Sequence, residues 1–227
     1  MNILAIDTAT AILSAALSSP RGIHYIEADA GLRHSECLME LIDRIMALAG
    51  LEAAGLEAVA CMKGPGSFTG LRIGFAAAKG LAFSLSIPLL SVPTLDCMAA
   101  PFSFWEGIVL PVMDAKKHHF FTALYDGSKR ISDYMDAGVP EIAEQLPKER
   151  PILLTGPDAP MLKPLLKGYV NEVYLFEDPS YRHGKGRELL EIVSKDAIFY
   201  YKQDVETAGP LYLRKSDAEL SLKDQEK

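Results

Sequence analysis

Three groups of residues carry the types from which chemistry is usually built. Asp7 closes the first strand-like run, ILAID. A carboxylate there can hold a hydrated metal beside a phosphate. It can equally cap its own turn, Asp7-Thr8-Ala9-Thr10, and taken alone that reading comes first. The second group is Gly64-Pro65-Gly66-Ser67-Phe68-Thr69-Gly70. Glycines let other backbone come close, Ser67 or Thr69 can cap a following helix, and free amides at a helix start attract anions. No Lys-Ser or Lys-Thr follows where a Walker A loop needs it, and G-x-G-x-x-G spacing is absent. The loop stands as a strand-to-helix turn ahead of a phosphate cradle.

The third group is the histidines and cysteines. His118 and His119 are neighbours, so on a strand they face opposite ways and cannot share a metal. His24, His34 and His183 show no ligand spacing, and no metal site is expected. Cys37, Cys61 and Cys97 are scattered, which argues against a disulfide framework and fits a reducing cytosol. No serine lies in G-x-S-x-G, and Cys37, three residues after His34, is expected to pack in a helix. Lys116 and Lys117 are expected in a solvated turn.

The elements that position these residues follow from periodicity. Strands are expected at 2–7, 11–18 and 22–27, a helix at 34–49 with Gly50 as its stop, and a strand at 57–62. After the glycine loop come a helix at 70–85, a strand at 88–92 and a short helix at 94–100. The second half repeats the order. Strands fit 108–113, 119–125 and 130–136, then a helix 139–146, a strand 152–155, a helix 158–166, a strand 172–176 and a long helix 184–202. Three strands followed by alternating helix and strand, twice over, is the layout of a duplicated ribonuclease-H-like α/β fold, shared by actin, sugar kinases and chaperone ATPases. A single doubly wound sheet is the rival, disfavoured by the two triple-strand openings. The expected lobes are 1–101 and 102–220, with a polar tail at 221–227.

The helix at 70–85 is unusual in composition. Only Arg72, Lys79 and Ser84 are polar, and a helix apolar on nearly every side must be buried on nearly every side. One face should meet the sheet and another a partner chain, with Gly74, Ala77, Ala78 and Ala82 allowing close approach. Met39, Ile42 and Met46 give the helix at 34–49 a spare apolar edge. The alternative is a fully internal helix.

Composition bounds the rest. The chain has 227 residues, 49% hydrophobic, enough for a sizeable core. Its net charge is -7, which makes it a poor nucleic-acid binder on its own. No signal peptide or bilayer-length apolar run is read from it.

ILAIDTAT at 3–10, GPGSFTGLRIG at 64–74, AKGLA at 78–82, PVMDAKK at 111–117 and PLYLRKSDAE at 210–219 together resemble the TsaB family, also called YeaZ. The resemblance spans nearly the whole chain, and GPGSFTGLRIG is its most specific block. It implies a small bacterial member of the actin-like ATPase superfamily. Such proteins help to install threonylcarbamoyl on the adenosine beside the anticodon of tRNAs reading ANN codons. The transferase is the paralogue TsaD, which TsaB binds through two helices of its first lobe, and the ATPase TsaE joins them. Alone, such proteins often self-pair through the same helices. Carried onto this chain, the resemblance and the apolar pattern give a partner interface of Leu38, Met39, Ile42, Met46, Leu71, Gly74, Phe75, Ala78 and Ala82. Ala78→Arg is then expected to abolish TsaD binding and leave the monomer folded.

The same resemblance locates departures from TsaD. Its metal-holding histidines fall at Thr94 and Met98, neither a suitable ligand. Asp114 is followed by Ala115-Lys116-Lys117 in place of glycines, and Thr155-Gly156-Pro157 lacks the paired glycines of an adenosine turn. Lys116-Lys117 stands where the family often has Ala-Arg. Asp7, Thr8, Gly64, Gly66, Ser67, Thr69 and Gly70 remain as vestigial or junction nucleotide-binding candidates. The expectation is a non-catalytic, cytoplasmic scaffold. It requires no cofactor itself, takes ATP or ADP at most at the partner junction, and meets tRNA only through the complex. The alternative is a weak ATPase or sugar-type kinase using Asp7 and Asp114 with magnesium. A peptidase reading has neither a metal pair nor a nucleophile behind it.

Overall fold

The structure is a computed structural model and describes residues 1–194 and 201–214. The first half runs β1 (Ile3–Asp7), β2 (Ile12–Ser19), β3 (Gly22–Asp29), α1 (His34–Ala49), β4 (Ala58–Gly64), α2 (Phe68–Leu85), β5 (Leu89–Pro93) and α3 (Thr94–Ala99). The second half runs β6 (Ile108–Lys116), β7 (His119–Thr122), β8 (Tyr125–Asp126), β9 (Lys129–Arg130), β10 (Met135–Gly138), α4 (Val139–Gln145), β11 (Ile152–Thr155), α5 (Ala159–Leu165), β12 (Leu175–Glu177), α6 (Gly186–Ser194) and β13 (Lys202–Gln203).

The two sheets share one topology. The first has the order β13-β5-β4-β1-β2-β3 and the second β10-β7-β6-β11-β12. In each, an antiparallel trio feeds two parallel strands: β1 lies between β2 and β4, and β6 between β7 and β11. This is the ribonuclease-H-like arrangement, present twice. The parallel strands β1 and β4 are buried almost throughout because helices cover both faces of the sheet.

The covering helices are exchanged between the halves. On one face of the first sheet, α1 and α2 bury Leu41, Ile45, Phe75 and Ala82 against Leu4, Leu17 and Val59. On its other face lies α6, with Leu189, Leu190 and Val193 against Ile3, Ala58 and Ala60. Likewise α4 and α5 cover one face of the second sheet. Leu95, Met98 and Ala99 of α3 pack on its other face, against Val109, Met113 and Tyr125.

Three expectations need correction. The lobe boundary at 101–102 does not hold for the end of the chain: α6 and β13, taken from the sequence as part of a second lobe at 102–220, complete the first sheet and its cover. Without α6 the apolar face of β1 and β4 would stand in water. Of the long helix expected at 184–202, α6 spans Gly186–Ser194 and Tyr201 is helical, while Lys202–Gln203 is an edge strand antiparallel to β5, so the helix does not reach 202. Residues 195–200, the tail at 221–227 and the 215–219 part of the C-terminal motif lie outside the described residues. The strands expected at 119–125 and 130–136 are broken by a hairpin, β8 to β9, turning at Gly127 with φ 59°. Asp126-Gly127 is a turn signal that periodicity alone passes over.

Candidate functional site

Helix α2 begins where Ser67 accepts a hydrogen bond from the Gly70 amide at 3.2 Å, so Ser67 rather than Thr69 is its cap. The Ser67 amide itself donates to the Ala9 carbonyl at 2.8 Å. That bond ties the glycine loop to the turn after β1. The glycines fit the same contact. A side-chain carbon on Gly66 would stand 2.7 Å from the Ala9 carbonyl oxygen, and one on Gly64 2.6 Å from that of Leu211. On Gly70 it would overlap the Thr8 carbonyl oxygen, and on Gly74 the Thr8 hydroxyl. The room where these side chains would stand is therefore filled by the chain itself: Gly64, Gly66 and Gly70 permit close backbone packing, while Pro65, Gly66, Ser67 and Phe68 border the cleft between the lobes. Thr8 is buried beneath α2.

Asp7 is closed off as well, with 1% of its surface exposed. One carboxylate oxygen accepts the Ala9 amide at 2.9 Å and the other the Lys185 amide at 2.7 Å. Burial pushes its pKa up, against the pull of these two amides and the Lys185 charge. Lys185 is itself buried, its ammonium 3.9 Å from Glu188. Asp7 thus caps its turn and also fastens residue 185 to β1, a long-range contact with no sequence signal.

Between the lobes lies a cleft of about 800 Å³ lined by Ser67, Phe68, Met113, Asp114, Lys116, Lys117, Asp158, Tyr212 and Arg214, among others. Asp7 does not line it. Asp114 takes the Lys116 amide at 2.7 Å and ammonium at 2.6 Å; though burial raises its pKa, Lys116 outweighs that and holds it below the usual carboxylate value. Asp158 accepts the Asp114 amide at 2.7 Å, and burial pushes its pKa up. In the turn after Asp114, Lys116, Lys117 and His118 all have left-handed backbone, with φ of 61°, 56° and 62°. So the turn keeps a glycine-type conformation while bearing side chains, at a cost on the order of 1 kcal/mol per residue. His118 lies in this turn, not on a strand as expected, and His119 opens β7 and meets Asp136 at 3.1 Å. Among the described residues no group of three His, Cys, Asp or Glu side chains is arranged to hold a metal. Thr94 and Met98 are both buried in α3, Met98 within the packing between the lobes.

The helix faces separate sharply. Of the expected interface residues, Leu38, Ile42, Met46, Leu71, Gly74, Phe75, Ala78 and Ala82 are buried in the monomer's own core, and only Met39 is exposed, at 51%. The expectation took the inner stripe for the outer one, because both are apolar. Ala78 has no surface, so Ala78→Arg is a core substitution and not an interface probe. The outer stripe of α2 is Thr69, Arg72, Ala76, Gly80 and Phe83, at helical spacing. Gly80 has open space where a side chain would stand, and Phe83 is 74% exposed. On α1 the large exposed apolar side chains are Met39 and Leu48, among the exposed Glu36, Glu40, Asp43 and Arg44, with Arg44 paired to Glu40 at 2.6 Å. The fully internal reading of α2 is thus also set aside.

Known proteins bear on this architecture. A family model described as TsaD, tRNA N6-adenosine threonylcarbamoyltransferase, matches residues 14–153. The chain is similar to the tRNA threonylcarbamoyladenosine biosynthesis protein TsaB of Bacillus subtilis, 29% identical over 233 residues and covering 96% of each chain. It is 35% identical over 127 residues to that of Escherichia coli, covering 55% of each. Among solved structures, YeaZ from Pseudomonas aeruginosa superposes with a TM-score of 0.76 at 22% identity, over 93% of this chain and 99% of that one. That likeness speaks for the fold. With the family model covering well over half its length, and the Bacillus subtilis TsaB matching over 96% of both chains, the chain belongs to the TsaB (YeaZ) family, kin of the threonylcarbamoyltransferase TsaD.

Proposed function

We propose that the chain serves tRNA threonylcarbamoyladenosine biosynthesis as a non-catalytic docking subunit that holds a TsaD-type transferase on the outer faces of α1 and α2. The carrying observation is that outer stripe, where Ala76 and the open Gly80 lie next to an exposed Phe83. Small residues let a partner helix approach to the short interaxial distance of close packing, and an exposed aromatic supplies an anchor. The acidic Glu36 and Asp43 on α1, beside the Glu40–Arg44 pair, favour a partner with basic residues opposite. When the partner is absent, the same stripe is the surface for self-pairing. TsaE joins the two, and tRNA is met through the complex, in the cytoplasm. ATP or ADP, if it binds, does so at the partner junction.

The interior arrangement supports the non-catalytic part. Asp7 has both oxygens taken by backbone amides and does not line the cleft, and Asp114 is paired with Lys116. The test is reconstitution. TsaD, TsaE, threonylcarbamoyl-adenylate and tRNA are mixed with and without the chain, and ATP turnover of the pure chain is measured beside its Asp114→Asn variant. Modification should require both the chain and TsaD, with no turnover dependent on Asp114. Equal modification without the chain, or turnover that Asp114→Asn abolishes, would overturn the reading.

A further inference from the structure

The lobes are joined by two unlike kinds of contact. Away from the cleft the chain crosses between them twice. One crossing is α3, whose Leu95, Met98 and Ala99 are packed in apolar surroundings on the second sheet. The other is the stretch 178–186, held to the first sheet by the Lys185 amide on Asp7 and the Gly186 amide on Ser14 at 3.0 Å. Neither lines the cleft.

On the cleft side the join is made by the end of the described chain. The segment runs back along α2, where Lys79 donates to the Ala208 carbonyl at 3.0 Å. The Leu211 amide then donates to the Lys63 carbonyl at 2.6 Å, in the room left by Gly64, whose φ is 108°. Tyr212 stacks on Phe68 at 5.2 Å and accepts from Arg72 Nε at 3.1 Å. Past the cleft, Arg214 forks onto both oxygens of Asp136 at 2.6 Å and donates to the Ala115 carbonyl at 2.8 Å. Asp136 is steadied from β7 by His119.

We propose that residues 211–214 form a detachable latch that holds the lobes closed across the cleft, about a permanent hinge at α3. The two sides differ in the way a hinge and a latch must. The hinge is apolar and buried, so opening it would expose core. Among the described residues the grip on the second lobe is concentrated in one guanidinium, paired with one carboxylate. A forked arginine–carboxylate pair is geometrically specific, and with its side chains 26% and 16% exposed it is largely shielded from salt, so it is opened by removing a partner. Whatever occupies the cleft must share its walls with Tyr212, Leu213 and Arg214 or displace them.

The test is an interlobe distance. Spin labels are placed at Glu52→Cys after α1 and Lys148→Cys after α4, both exposed, in a full-length Cys37→Ser chain; Cys61 and Cys97 are buried and stay unlabelled. The parent should give one narrow distance population. Arg214→Ala and Tyr212→Ala should each add a second population at altered distance. Amide exchange in β1, β4 and β6 should stay slow, showing intact lobes. An unchanged distribution in Arg214→Ala, or a change in Tyr212→Ala alone, would overturn the latch.

Discussion

The inner and outer faces of α2 are both built from small residues, for opposite reasons. Gly70 and Gly74 are small because Thr8 occupies the space beside them. Gly80 is small with nothing near it. The first pair serves the fold of the monomer, whereas a side chain at Gly80 would meet nothing within 4 Å among the described residues, and the glycine lowers the helix propensity of its own turn. A residue that costs stability on an exposed face is where a surface kept for another chain is to be sought.

Substitutions can break or sharpen that contrast, from the largest effect down. Ala78→Arg puts an unpaired charge in the core and should cost on the order of 3–5 kcal/mol, measured by urea unfolding of the monomer. A monomer as stable as the parent would mean that Ala78 faces outward after all. Gly70→Ala drives a methyl into the Thr8 carbonyl, which is backbone and cannot rotate away, and a loss of about 1–3 kcal/mol is expected by the same assay. Gly74→Ala meets only the Thr8 hydroxyl and should cost less. Adding Thr8→Ala should recover part of that loss, and a double-mutant cycle without coupling would refute the contact. At the small end the sign reverses: Gly80→Ala should raise thermal stability by about 0.5–1 kcal/mol through helix propensity alone.

Much of this architecture was legible in the sequence. The spacing of Leu38, Leu41, Ile42 and Ile45, stopped by Gly50, marks α1 from end to end, and Gly50 is left-handed as a helix stop should be. The duplicated strand order was also visible. The exchange of α3 and α6 was not, since periodicity says that a helix has an apolar face but not which sheet receives it. The same limit explains the inverted stripe on α2. Leu71, Phe75 and Ala78 look as suitable for a partner as Ala76, Gly80 and Phe83, and only burial separates them. The closed state of Asp7 depends on Lys185, far along the chain, and Arg214 meets Asp136 by tertiary placement alone. For the latch a signal did exist: an apolar-aromatic run, Pro210-Leu211-Tyr212-Leu213, ending in Arg214 near a polar terminus.

The most direct measurement is size-exclusion chromatography with light scattering of the chain mixed with TsaD, comparing Gly80→Arg with Gly80→Ala. Gly80 has no neighbour to disturb, so both variants should unfold no earlier than the parent. The account predicts that Gly80→Ala co-elutes with TsaD and that Gly80→Arg elutes apart from it, as a folded monomer. Co-elution of folded Gly80→Arg with TsaD at parental affinity would contradict docking through the outer face of α2.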